Sequence, residues 1–430
     1  MQFYSTRDKS LRADQRRAIM DGLAPDGGLY MPVEIPVLPD SFFKALPGMT
    51  LPEIGATVLG TFFGDGLSKA QIETMAADAL NFPIPLVGIR ERMATLELFH
   101  GPTMAFKDVG ARCMARLLGT CVQQEDDHTY VLVATSGDTG SAVANGFHGV
   151  DGIRVIILYP SGKVSPVQEK QLTTLGGNVY ALEVDGVFDD CQRMVKQVFS
   201  DPEMRKEFRL TSANSINVAR FIPQSIYYFH GVGQMQGAEA TVTIPSGNFG
   251  NLCAGLFAQR MGLNIRRFVA ATNVNDVVPA YLQSGKYEPR ASVATISNAM
   301  DVGAPSNFER ILDLFDHDHA RIAEVIHGYS FTDDETRSAI AKVFQEFNYL
   351  LDPHGAVGYL AMKKELADNG GMGFFLETAH PSKFPEVVEQ ATGLKVEIPE
   401  RMQELMSREK KATRVPADEQ ALKDFMRALD

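Results

Sequence analysis

Hydrophobic positions along the chain follow two rhythms. Between residues 129 and 184 short, continuous, β-branched runs alternate with stretches whose apolar residues recur at helical spacing. "TYVLVAT" (129–135), "IRVIILYP" (153–160) and "NVYALEV" (178–184) read as strands buried on both faces. The Gly-rich turn "SGDTGSAVANGF" and the segment "KVSPVQEKQLTTLG" supply the helices between them. This βαβαβ order predicts a parallel sheet with right-handed crossovers. A second unit starts at "ATVTIP" (240–245), passes through "SGNFGN" into the helix "LCAGLFAQRMG", and returns at "RRFVAATN". "GFFLETAHP" near the C-terminus is another buried strand.

The leading residues differ. Pro and Gly turns ("APDGGLYMPVEIPVLP", "ALPGMT", "NFPIPL") alternate with helical stretches such as Leu67 to Leu80. The expected organisation is an N-terminal substructure over 1–95 and two α/β domains over 96–238 and 239–430. Two open, mostly parallel three-layer α/β domains then face each other across a cleft. The charged tail "ERMQELMSREKKATR" reads as a surface element.

Composition narrows the function. The 430 residues include 45% hydrophobic and 22% charged positions, an ordinary soluble composition. A formal net charge of −12 argues against a general nucleic-acid binder. Cys113, Cys121, Cys191 and Cys253 lack CxxC pairing and suit reduced, buried thiols. With no signal-peptide pattern and no run of about 20 apolar residues, a cytoplasmic protein is expected. The histidines of "FDHDHARIAEVIH" match neither HExxH nor a zinc ligand set, so no metal is expected.

Four segments carry candidate chemistry, each with a bland alternative. "IPSGNFGNLCAG" joins a strand to a helix start whose free N–H groups favour one phosphate. It fits neither GxxxxGK[ST] nor GxGxxG, and the alternative is a structural turn. Here Gly247 and Gly250 are expected to supply positive φ or close approach. "ATSGDTGSA" offers Ser136, Thr139 and Ser141 as hydroxyl donors; Asp138 is awkward for an anion site and reads as a helix cap. "NSINVARFIPQ" offers Asn214, Asn217 and Arg220, the arginine paired either with a bound anion or with an internal carboxylate. In "HGPTMAFKD", Lys107 lies beside an apolar face of Phe106, Val109, Cys113, Met114 and Leu117. It is either a solvated charge, favoured by composition alone, or a desolvated nucleophilic amine.

Taken in order, these segments carry a resemblance. "YSTRD" (Asp8 standing where Gly is usual), "GLAPDGGLYMP", "LFHGPTMAFKDV", "ATSGDTGSA", "NSINVARF", "IPSGNFGN", "TNVNDVVP", "DPHGAVGY" and "ETAHPSKF" follow one another along nearly the whole chain. The sequence resembles the threonine synthase family of bacterial and fungal type. These are pyridoxal-phosphate enzymes of the tryptophan-synthase-β fold (fold type II). The resemblance implies conversion of O-phospho-L-homoserine and water to L-threonine and phosphate. It implies that Lys107 holds pyridoxal 5'-phosphate as a Schiff base. Ser246, Gly247, Asn248, Phe249, Gly250 and Asn251 would cradle the cofactor phosphate, and Thr378 would lie near the pyridine nitrogen. Thr135, Ser136, Thr139, Asn214 and Arg220 would hold the substrate's carboxylate and phosphate. Asp138 occupies the place where related enzymes carry an Asn contacting the cofactor hydroxyl. A phospholyase that releases a 2-oxo acid and ammonia is the alternative, and a monomer or homodimer is expected.

Overall fold

The computed structural model describes residues 1–122, 128–135 and 137–429. Fourteen strands over these residues form three sheets. β1 (Gln2–Ser5), β2 (Arg12–Asp14) and β3 (Tyr30–Pro32) make a small antiparallel sheet in the order β2-β1-β3. β4 (Leu86–Arg90), β5 (Met93–Glu97), β10 (Ala240–Pro245), β11 (Ile265–Thr272), β12 (Ile326–Ser330) and β13 (Gly373–Glu377) form a six-stranded sheet. Its order is β12-β11-β10-β13-β5-β4, parallel except for the β4–β5 pair. β6 (Thr129–Ala134), β7 (Ile153–Pro160), β8 (Val179–Asp185), β9 (Arg209–Ser212) and β14 (Thr413–Pro416) form a fully parallel sheet in the order β14-β8-β7-β6-β9.

The continuous apolar runs follow from burial on both sides. In β6, Val131 and Val133 join one core with Val143 and Phe147 of the helix Asp138–Phe147. Tyr130, Leu132 and Ala134 join a second core with Met194 and Val198 of the helix Phe188–Ser200. Alternation of side chains along the strand thus feeds two helix layers, leaving no polar face.

The sheets cross the sequence boundaries expected at 95 and 238. β4 and β5 pair with the later strands, Met93 to Glu97 running alongside Gly373 to Glu377. The tail returns to the other sheet. β14 pairs with β8, and Leu422 and Met426 of the final helix Glu419–Leu429 are fully buried in the second core. A tail expected at the surface therefore seals a sheet edge with its apolar side.

The N-terminal residues are anchored by aromatic rings. Phe62 packs on Phe257 (5.9 Å) and Phe42 on Phe229 (5.6 Å), attaching the extension to helices Gly250–Arg260 and Ser225–Gln234. Each such ring contributes about 1.5–3 kcal/mol of burial free energy. All four cysteines are free and buried, and burial pushes the thiols of Cys113, Cys191 and Cys253 up to about 12. Among the described residues no helix is long and apolar enough to cross a membrane.

The loops that follow β6, β9, β10 and β13 leave the carboxyl ends of parallel strands. In an open α/β sheet that edge is where ligands bind, because helix N-termini and free loop N–H groups converge there.

Candidate active site

Lys107 opens the helix Lys107–Val122. Its position is set by the turn before it. Asp108 accepts the Thr103 N–H (2.9 Å) and the Thr103 hydroxyl (2.6 Å), which closes the turn on the first helical residues. Phe106 N–H donates to the Thr378 carbonyl (2.8 Å), and Ala105 bridges Ala379. The lysine therefore sits beside the end of β13. Arg220 donates from Nη1 to the Lys107 carbonyl (2.9 Å). The Lys107 ammonium lies 5.7 Å from the Phe106 ring centroid.

A solvated lysine does not describe this environment. Although the residue as a whole is only half-buried, the amine is ringed by protein. Desolvation lowers its pKa to about 8; Asp138 opposes that, while Arg220 and Lys383 add to it.

The SGNFGN loop is built differently from the sequence expectation. Neither Gly247 nor Gly250 is left-handed; the residue that is left-handed is Phe249, with φ of 61°. Burial of its ring against Phe308 (6.1 Å) holds that backbone in place. Gly247 is needed for close approach, since a Cβ there would lie 2.6 Å from the Ala299 carbonyl oxygen. Asn248 fastens the loop by donating to Ser215 Oγ (3.0 Å) and accepting the Ser306 N–H (2.7 Å). Ser246 turns inward, its hydroxyl donating to the Ile244 carbonyl (2.8 Å).

The donors of this loop are unspent. Among the described residues no acceptor takes the backbone N–H groups of Gly247, Asn248, Phe249, Gly250 and Asn251. Asn251 accepts the hydroxyls of Tyr227 and Tyr228 (both 2.6 Å) on Oδ1, while its buried Nδ2 has no partner. Buried donors are rarely left unpaired, so a cluster of them at a helix N-terminus fits an anionic group such as a phosphate.

In the second turn it is Thr135, not Asp138, that caps. Thr135 Oγ1 accepts the N–H groups of Gly137 (3.0 Å) and Gly140 (2.9 Å), closing the start of the helix Asp138–Phe147. Asp138 instead accepts Gln168 Nε2 (3.0 Å) and pairs with Lys383. Burial pushes its carboxyl up, but Lys383 and Lys107 outweigh that and hold it well below the usual carboxylate range. Ser136 lies outside the described residues. Among the described residues the side chains of Thr139, Asn214 and Thr378 make no hydrogen bond, the first two half-buried and the third buried. Arg220 has no carboxylate partner there either. Its Nε donates to the Ala213 carbonyl (3.2 Å), so the guanidinium is held by two backbone carbonyls, and the Asp108 carboxylate acts on it without bonding it.

Three residues of this site were given no role by the sequence reading, although two of them lie within the quoted segments "ETAHPSKF" and "DPHGAVGY". Lys383 is 1% exposed and sits among the site residues. Arg310, fully buried, binds the carbonyls of Tyr30, Ser215 and Ile216 and so braces Ser215 beneath the cradle. His354 bonds Asp352 through Nδ1 (2.6 Å) and accepts the Ala299 N–H on Nε2 (3.2 Å), fixing the strip that Gly247 touches. Polar residues with such packing roles have no periodicity by which a sequence could announce them.

Comparison with known proteins agrees with this geometry. A family model described as pyridoxal-phosphate dependent enzyme matches residues 84–374, one for the threonine synthase N terminus matches 2–80, and one for the threonine synthase C-terminal region matches 355–426. The chain is 43% identical to the threonine synthase of Haemophilus influenzae over 405 residues, covering 94% of each chain. It superimposes on the crystal structure of Escherichia coli threonine synthase with a TM-score of 0.92 at 39% identity, covering 100% of both chains. With the pyridoxal-phosphate-bound threonine synthase of Brucella melitensis the TM-score is 0.94 at 36% identity, covering 100% of this chain and 99% of that one.

Proposed function

Since the chain belongs to the threonine synthase family, converting O-phospho-L-homoserine and water to L-threonine and phosphate with pyridoxal phosphate, we propose that Lys107 carries the cofactor and moves the substrate's Cα proton. The observation that carries this reading is a desolvated amine, tied through Phe106 to Thr378, in a site whose SGNFGN loop holds unspent donors. Pyridoxal phosphate, when bound, supplies the electron sink for carbanions at the substrate's Cα and Cβ. Ser246 to Asn251 would cradle its phosphate, and Thr378 would offer a neutral hydroxyl to its ring nitrogen.

The Lys107 amine would remove the substrate's Cα proton and later return one there. An amine with a pKa of about 8 suits both steps near neutral pH. Thr135, Ser136, Thr139, Asn214 and Arg220 form the anion-holding side. Within that set the guanidinium of Arg220, which no carboxylate bonds among the described residues, and the side chains of Thr139 and Asn214, which make no hydrogen bond among them, are the best-supported contacts. Thr135 contributes indirectly, by capping the helix that carries Asp138. Cleft closure keeps water away until phosphate has left.

We further infer a cytoplasmic monomer or homodimer with no nucleic-acid partner, in keeping with the buried free thiols and the charge of −12. The units are the extension (1–95) and two α/β halves (96–238 and 239–430); β4 and β5, at the end of the extension, join the sheet of 239–430, and β14 joins the sheet of 96–238.

Borohydride reduction of the holoenzyme followed by peptide mapping tests the central assignment: the label is expected on Lys107, and label on any other lysine refutes it. Arg220→Ala is expected to raise KM and to lower kcat together, by about 10²-fold in kcat/KM. The guanidinium both faces the anion side and holds the Lys107 carbonyl. Steady-state kinetics showing a raised KM with unchanged kcat would confine Arg220 to binding.

A further inference from the structure

A second buried amine lies in this site. The Lys383 ammonium pairs with Asp138 and donates to the Thr103 carbonyl (2.9 Å). It thereby joins three segments: the turn before Lys107, the helix after β6, and the stretch after β13. Thr103 is the same residue that fastens Asp108 at the start of the Lys107 helix. Such a charge is costly to bury, and its effect falls on the groups around it.

We propose that Lys383 is a positioning residue for Lys107: by claiming the Asp138 carboxylate, it prevents that carboxylate from trapping Lys107 as an ammonium. The charged groups that act on Lys107 are Asp138, Arg220 and Lys383. Arg220 keeps its charge while bonded to backbone carbonyls, and it acts on Lys107 in the same direction as Lys383; Asp108 is held by Thr103. Of the two cations only Lys383 also pairs with Asp138, so Lys383 alone both repels the Lys107 proton and occupies the anion that would hold it. Removing the Lys383 charge acts twice in one direction, taking away a repelling cation and freeing the anion beside the amine. The neutral amine is what the chemistry needs. Its lone pair attacks the cofactor aldehyde, a C=N bond forms and water leaves, whereas a proton on Nζ removes that lone pair.

The inference rests on Lys107 being the cofactor lysine, and the test separates the two. Full-length protein is freed of cofactor with hydroxylamine and mixed with pyridoxal phosphate, and growth of the Schiff-base absorbance is timed across the neutral to alkaline range. Lys383→Gln keeps a donor toward Asp138 while losing the charge; Lys383→Met removes both. In whichever variant retains a cooperative unfolding transition, the midpoint of the rate profile is expected to rise by about one pH unit. The rate at pH 7 then falls about tenfold and recovers in alkali. Adding Asp138→Asn to the same variant is expected to bring the midpoint back to or below that of the unaltered protein. A midpoint that stays put in the single variant, or stays high in the double, overturns the role of Lys383. Borohydride label away from Lys107 in the unaltered protein overturns the underlying assignment instead.

Discussion

Lys107→Ala is expected to lower kcat by about 10⁴-fold, near the upper end of what one general acid–base residue contributes. It is also expected to abolish the Schiff-base absorbance while leaving the fold intact. The side chain makes no hydrogen bond among the described residues; only its backbone carbonyl is engaged, by Arg220, and alanine keeps that carbonyl. The apo variant is moreover expected to be more stable than the apo parent at neutral pH. Folding depresses the Lys107 pKa from 10.5 to about 8. Below about 8 both folded and unfolded chains carry the proton, and the folded chain bears the full cost of a desolvated ammonium. Between about 8 and 10.5 the unfolded chain binds the proton more tightly, so the parent gains stability as pH rises through that window. The advantage of alanine should therefore shrink across it. Thermal unfolding of both apo proteins at pH 7 and pH 10 checks this, and a variant less stable than its parent at pH 7 would mean that Lys107 is paired rather than strained.

That contrast between a lysine in a sequence and a lysine in a site marks how far the pattern of residues could be read. The strands β6, β7, β10 and β13 were legible because each is buried on both faces, which leaves a nearly continuous apolar run, and β8 and β11 through the buried stretches of theirs. β14 was not, since its four residues "TRVP" bury only Val415 and owe their place to pairing with β8. The SGNFGN loop was legible as an anion cradle, but its mechanics were not. A phenylalanine takes the left-handed conformation there because tertiary packing of its ring outweighs the local preference for glycine. Asp138 looked like a cap because aspartate at a helix start usually is one; its true partner stands 245 positions later, in "ETAHPSKF", and nothing in either segment ties one to the other. Long-range polar pairing of this kind is set by the fold and leaves no periodic trace.

The same reasoning gives Arg310→Ala the largest expected cost in stability, about 3–5 kcal/mol. Its guanidinium is fully buried and reaches the extension at the Tyr30 carbonyl (3.2 Å) and the anion-side segment at the Ser215 carbonyl (3.1 Å) and the Ile216 carbonyl. It also bonds Asn307 Oδ1 (2.5 Å) and lies 4.2 Å from the Phe221 ring centroid. Alanine would strand three carbonyls and leave a cavity in the core beneath the cradle. The effect should reach function through one residue. Ser215 Oγ accepts both Asn248 Nδ2 (3.0 Å) and Asn307 Nδ2 (2.9 Å), so loosening Ser215 releases the loop that holds the cofactor phosphate. Cofactor affinity is therefore expected to fall together with stability, and the shift of the melting temperature on adding pyridoxal phosphate to shrink. Arg310→Lys should recover little of either, because one ammonium cannot span carbonyls from three segments as a planar fork does. Unfolding curves with and without pyridoxal phosphate decide the matter. A destabilised variant that still gains the parent's full increment from the cofactor would show that the cradle stands without this brace.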